Sequence, residues 1–214
     1  MKTVVVFGST GTAGSGVVQA CLADSDVSQV RAITRRPLGL SHGKLAEVIC
    51  SDFAELSAIA EHLRGVDVCL YCLGISARKV SGEEEYREIH VTYPLAAAQT
   101  LMKQSPAAAF VYLSGAGTKR TSSMMWARVK AEAEDQLAQV GLSRHLNVRP
   151  AWIVPRKTKG PAWWLFAPLV DAFPALGIRA DDLGRAMLRA AARTSDGADS
   201  TTLENKKLRR LVAE

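Results

Sequence analysis

Residues 2–14, Lys2-Thr3-Val4-Val5-Val6-Phe7-Gly8-Ser9-Thr10-Gly11-Thr12-Ala13-Gly14, decide the fold. The run from Thr3 to Phe7 is apolar, β-branched and uncharged, which predicts a buried strand. Gly8, Gly11 and Gly14 then form a G-x-x-G-x-x-G pattern inside which a helix over Thr12–Ala23 begins. Glycine is wanted here for mechanical reasons. The chain must turn sharply out of the strand, let a pyrophosphate approach the backbone, and pack the helix close to the sheet. Unpaired amides at the helix start, with the positive end of the dipole behind them, then face the phosphates. The pattern therefore predicts dinucleotide binding by Gly8, Thr10, Gly11, Thr12, Ala13 and Gly14. A glycine-rich turn that binds nothing is the plain alternative.

Outward from this loop, apolar runs alternate with helical stretches. QVRAIT reads as a second strand and LAEVIC as a third, followed by a helix over Glu55–Leu63. VDVCLYC is a fourth strand and AAFVYLS a fifth. Between them a helical stretch runs from Glu83 to Lys103, where Pro94 must start a turn or mark a kink. MMWARVKAEAEDQLAQ is strongly helical, SRHLNVRPAWI is a sixth strand and DDLGRAMLRAAAR a late helix. Continuously apolar strands alternating with helices predict an α/β, doubly wound Rossmann-type parallel sheet with helices on both faces. Its ligand is expected at the carboxyl ends of the strands. The 214 residues are expected to form one domain, with an irregular lid or substrate-side insertion over 155–178. Within it, 161–174 gathers two tryptophans and two phenylalanines, suited to a lid, a subunit contact or core.

With 48% hydrophobic and 22% charged residues, the composition excludes disordered, collagen-like and disulfide-framework classes. No apolar run reaches the roughly 18 residues of a membrane span. The apolar stretch before Gly8 is too short for a secretory signal, which predicts a cytoplasmic protein. The four cysteines, Cys21, Cys50, Cys69 and Cys72, have no zinc-ligand spacing, so no metal is expected. Cys69 and Cys72 share C-x-x-C spacing, but within a strand-like run. A redox pair normally opens a helix, so reduced core thiols are the expectation. The net charge of +6 is scattered in ones and twos, which predicts a taste for anionic ligands and no nucleic-acid stripe.

The second strand ends Ile33-Thr34-Arg35-Arg36, without the carboxylate that grips ribose hydroxyls in NAD enzymes. Two guanidiniums there suit a 2′-phosphate, predicting NADP(H) held by Arg35 and Arg36. A solvated basic loop is the alternative.

Further ordered signals follow: Thr34-Arg35-Arg36-Pro37, Ser51-Asp52-Phe53, Cys72-Leu73-Gly74, Tyr112-Leu113-Ser114-Gly115-Ala116, the helix WARVKAEAE over 126–134, and Arg149-Pro150-Ala151. With the glycine loop, this series resembles the atypical short-chain dehydrogenase/reductase superfamily, the NAD(P)H-binding Rossmann proteins. Within it, the chain is similar to the small Tat-interacting-protein group and its bacterial relatives. The resemblance implies that Asp52 and Phe53 edge the adenine and that Leu73 and Gly74 form the turn beside the adenosine ribose. It places Ser114 at the catalytic serine and Lys130 at the lysine that holds the nicotinamide ribose. The tyrosine expected four residues before that lysine is Trp126 here. An indole N–H donates a hydrogen bond but relays no proton near pH 7. Trp126 is thus either a departure at the catalytic position or a packing residue. His90 or Tyr93 is a candidate replacement acid if either faces the cleft, while Tyr71 and Tyr112 suit the core. The stretch TTLENKKLRRLV from Thr201 resembles the family's final strand and short helix.

Two functions are consistent with these residues. One is an NADPH-dependent oxidoreductase acting on an unidentified small molecule. The other is a non-catalytic NADP(H)-sensing protein that controls binding of a protein partner, a second copy among the candidates.

Overall fold

The computed structural model describes residues 1–156, 173, 176–193 and 201–213. The strands are β1 (Lys2–Phe7), β2 (Val27–Thr34), β3 (Leu45–Ile49), β4 (Val68–Tyr71), β5 (Ala109–Leu113), β6 (Arg144–Arg149), β7 (Trp152–Val154), β8 (Gly177–Arg179) and β9 (Thr201–Glu204). Seven of them form a sheet in the order β3-β2-β1-β4-β5-β6-β9, parallel throughout. β7 and β8 pair separately as a parallel ribbon. The helices are α1 (Thr12–Ala23), α2 (Glu83–Arg87), α3 (Tyr93–Gln104), α4 (Met125–Ala138), α5 (Ala180–Arg193) and α6 (Asn205–Ala213).

Side-chain alternation along the strands builds two cores. Val4, Val6, Leu70, Val111 and Val148 face one side and pack with α1 and α5. Val5, Phe7, Cys69, Tyr71, Phe110 and Tyr112 face the other and pack with α3 and α4. Both faces are covered, which is why the strands are continuously apolar. Cys69 and Cys72 fall in opposite cores, so the C-x-x-C spacing brings no thiol pair together, and all four cysteines are buried and free. Burial pushes the Cys72 thiol up to about 12.

The first strand and α1 lie where the glycine pattern predicts them. Three other elements differ from expectation. The expected helix over Glu55–Leu63 is a 3-10 turn at Ser57–Leu63, anchored in the core by Ile59 and Leu63. Such a short segment gains little from α-helical bonds and takes the tighter winding. The stretch 83–103 divides into α2, a π-helical turn at Glu88–Thr92, and α3 with Pro94 in its first turn. Pro94 has no N–H to give the carbonyl four residues back, that of His90. This carbonyl instead accepts from the Tyr112 hydroxyl at 3.0 Å. Finally, the sixth strand stops at Arg149, because Pro150 has no ladder donor, and the chain resumes as β7 in the separate ribbon. The lid expected over 161–174 lies outside the described residues except for Phe173.

Candidate dinucleotide site

The strand order reverses between β1 and β4, and the glycine turn sits at that switch point. Gly8 has φ +78°, and a Cβ on it would lie 2.5 Å from the Leu73 nitrogen. A Cβ on Gly14 would strike the Gly8 carbonyl. The turn closes through Gly11 N–H donating to Gly8 O at 3.0 Å, and α1 begins with Ser15 N–H to Gly11 O at 3.0 Å. Gly11 is the N-cap and offers no side-chain cap. The amides of Thr12, Ala13 and Gly14 therefore have no acceptor within the helix. Ala13 turns its methyl into the core and contributes only its amide, while Thr10 and Thr12 are exposed. A bare, positively polarised cradle of this kind fits a phosphate.

Beside the cradle, a cavity of about 50 Å³ is lined by Gly8, Thr10, Ile33, Thr34, Arg35, Arg36, Phe53 and Leu73. The fold thus unites the glycine loop with both arginines, Phe53 and Leu73, residues far apart in sequence. The Thr34 hydroxyl donates to the Arg36 carbonyl at 2.8 Å and shapes the turn that carries the two exposed arginines. Asp52 is exposed and partly engaged: its Oδ1 accepts from the Ala54 amide at 2.8 Å and its carbonyl from the Cys50 thiol at 3.0 Å. Gly74 lies behind Leu73, against the ring of His90. On the other side of the loop, a larger cleft of about 560 Å³ runs between Ser9–Thr12 and α1, the Leu38–Leu40 loop, and Arg156. Sequence reasoning named Thr10, Gly11 and Thr12 and an insertion starting at 155, but missed the Leu38–Leu40 wall of this cleft, whose sequence signal is Gly39 at φ +65°.

Ser114, Trp126 and Lys130 gather around the carboxyl end of β5. Ser114 is buried, and its Oγ lies 3.1 Å from Thr118 Oγ1, which donates to the Gly115 carbonyl at 2.8 Å. The threonine proton is thereby spent, and the serine is the donor of the pair. Lys130 is buried, donates from Nζ to the Leu113 carbonyl at 2.8 Å, and stands 4.7 Å above the Tyr112 ring. Burial brings its ammonium down to about 7, with Glu134 and Cys72 opposing the shift. Trp126 is half-buried, and its indole edge packs against the Gly115–Gly117 turn. Its Nε1 donates to the Met124 sulfur at 3.3 Å.

Neither candidate replacement acid stands in this group in a usable form. Burial, then the Lys130 charge, hold His90 down to about 3, so its imidazole is neutral near pH 7. Tyr93 packs its ring 5.9 Å from Phe53, at the Arg35–Phe53 end of the site, and its hydroxyl donates to Glu88 at 3.2 Å. Burial first, then Glu88, raise that hydroxyl above its ordinary range.

The sheet order, the glycine turn at the switch point and the uncapped helix start define a Rossmann-type dinucleotide-binding protein. The chain belongs to the NAD(P)H-binding family, whose model matches residues 8–194. It is similar to Protein HTATIP2 of Rattus norvegicus, 28% identical over 178 residues that cover 81% of this chain and 72% of that one. It is also similar to Protein FMP52, mitochondrial, of Chaetomium globosum, 25% identical over 213 residues that cover 92% and 90%. Among solved structures, an oxidoreductase of the short-chain dehydrogenase/reductase family from Burkholderia thailandensis superposes with a TM-score of 0.70. It is 18% identical, covering 97% of this chain and 93% of that one, and shows the shared fold. The chain thus combines membership of the NAD(P)H-binding family with the fold of the short-chain dehydrogenases/reductases, and is similar in sequence to a Tat-interacting-type protein. Among the described residues, no helix is long and apolar enough to cross a membrane.

Proposed function

We propose that this chain binds NADP(H) and acts as an oxidoreductase on a small molecule. The observation that carries the reading is the uncapped start of α1 beside a cavity lined by Arg35 and Arg36. In this reading the turn Gly8–Gly14 and the first amides of α1 hold the pyrophosphate. Arg35 and Arg36 pair with the 2′-phosphate, where a charge-assisted fork has no equivalent partner in NAD. Asp52 and Phe53 edge the adenine, and Leu73 and Gly74 line the ribose. Lys130 uses one of its three donors on Leu113 O and keeps two for the nicotinamide ribose. Bound nicotinamide supplies or accepts a hydride. Ser114 turns its hydroxyl from Thr118 toward a carbonyl to polarise it. Trp126 occupies the place of the usual tyrosine and leaves the reaction without that proton donor, so the reduced carbonyl oxygen takes its proton from solvent water. The chain is read as one domain, and most of the substrate-side insertion expected over 155–178 lies outside the described residues. The buried, reduced thiols support a cytoplasmic location, against which stands the mitochondrial label of the fungal relatives.

Loss of a positioned acid lowers a rate by about 10²–10⁴-fold. NADPH consumption over a panel of small carbonyls tests the activity. The oxidoreductase reading predicts slow turnover in the wild type, none in Lys130→Ala, and faster turnover in Trp126→Tyr. No turnover in any of the three overturns it in favour of a nucleotide sensor. That second reading is favoured by the Trp126 indole, which faces the Met124 sulfur and the Gly115–Gly117 turn.

A further inference from the structure

His90 lies on the π-helical turn Glu88–Thr92 and is 3% exposed. Its ring fills the space beside Gly74, where a Cβ would come 2.6 Å from the ring's Cε1. Its Nε2 is 3.2 Å from the Ile75 nitrogen and 3.0 Å from the Ile75 carbonyl oxygen. The Tyr86 ring lies against it at 4.1 Å between centroids. Its Nδ1 is buried with no hydrogen-bond partner.

A position that only packs would not ask for this residue. Leucine or phenylalanine fills such a space without burying an unpaired ring nitrogen, a loss the histidine accepts. The compensation is at Ile75. A neutral imidazole has one donor and one acceptor nitrogen, so Nε2 either accepts from the Ile75 N–H or donates to the Ile75 carbonyl. In both tautomers the ring is tied to the residue after Gly74, in the turn that leaves β4 by way of Leu73. The π-turn ends at Thr92, two residues before Pro94, and its irregularity is of the sort found at functional positions in helices.

We propose that His90 is a positioning residue of the dinucleotide site, fixing the Leu73–Gly74–Ile75 turn against which the adenosine half lies. The inference rests on the dinucleotide reading of that turn. His90 acts through Gly74 and Ile75 without touching the nucleotide. Glycine is needed at 74 because the imidazole takes the place of its side chain.

The test is calorimetric titration of nucleotide-stripped wild type, His90→Phe and His90→Gln with NADPH, with a thermal melt of each protein alone. Phenylalanine keeps the ring and its contact with Tyr86 but has no nitrogen, whereas glutamine reaches Ile75 with an amide. The expected result is about tenfold weaker binding in His90→Phe, with His90→Gln within about threefold of wild type, the size of one buried hydrogen bond. His90→Asn, polar but too short to reach Ile75, stands in if the phenylalanine variant does not fold. Wild-type affinity in a folded His90→Phe overturns the proposal, as does equal loss in the glutamine and phenylalanine variants. Absence of NADPH binding in the wild type overturns the dinucleotide reading itself, and the two failures are thereby distinguished.

Discussion

Lys130 is a buried ammonium whose pKa is brought down by desolvation to about 7, from the ordinary 10.5 of a solvated lysine. The sign of the linkage follows directly. The unfolded chain binds the proton more tightly, so burial of this lysine opposes folding most below pH 7, and the opposition fades as pH rises toward 10.5. In Lys130→Met the charge is replaced by an apolar side chain of similar length. The variant is expected to be more stable than the wild type at pH 6.5. Its advantage should shrink by about 2 kcal/mol by pH 8.5, read from urea midpoints across that range. An advantage independent of pH would show that the ammonium is solvated in the folded state. At this scale the sequence was only half legible. The lysine and the indole are plain in WARVK, but nothing in the string shows that Nζ reaches the Leu113 carbonyl or that Ser114 donates to Thr118. Such partners depend on how the turn after β5 meets α4. Nor does the string show that His90 is buried and neutral, because that depends on its packing against Gly74, distant in sequence, together with Tyr86 one helical turn away.

Elements were more legible, because a period of hydrophobicity and a glycine turn are local signals. α1 runs over Thr12–Ala23 as the pattern predicts, and Gly8 takes the left-handed conformation that its turn requires. Gly8→Ala adds a strained φ to a collision with the Leu73 nitrogen. The expected loss is about 2–4 kcal/mol of stability together with nucleotide binding, checked by denaturation and titration of one sample. The broken helix around Pro94 was harder to see, since proline announces an interruption without saying what satisfies the freed carbonyl. Here Tyr112 does so from β5, across the core. Tyr112→Phe should cost about 1–3 kcal/mol by leaving the His90 carbonyl unpaired. In a Pro94→Ala background the restored N–H can take that carbonyl, and the same change should cost clearly less. Equal costs in both backgrounds would show that the carbonyl has another partner.

Across the whole molecule, the sheet order places the glycine loop, Arg35–Arg36, Phe53 and Leu73 at one crevice, and Ser114, Trp126 and Lys130 at the end of β5. A doubly wound sheet makes that convergence inevitable, so the site's outline was readable once the fold was. What lies around the outline was not. The cleft by Leu38–Leu40 and Arg156 depends on a loop and a ribbon that no periodicity marks. Nor does the sequence show the clamp at the far end of α4, where Arg149 pairs with Glu134 at 2.9 and 2.5 Å and with Glu204 at 3.2 Å. Glu134 is buried there, so Glu134→Ala removes two of the three bonds to the guanidinium, leaves it Glu204 alone, and should destabilise the fold by about 1.5–3 kcal/mol, measurable as a fall in the urea midpoint.

The central claim is that the crevice beside the glycine loop is an NADP(H) site selected by two arginines. Calorimetry of nucleotide-stripped protein against NADPH and NADH, side by side, tests it most directly. NADPH binding at least tenfold tighter, about 1.4 kcal/mol, is the predicted result. Equal affinities, or a preference for NADH, would contradict the role of Arg35 and Arg36, and no binding of either would contradict the site.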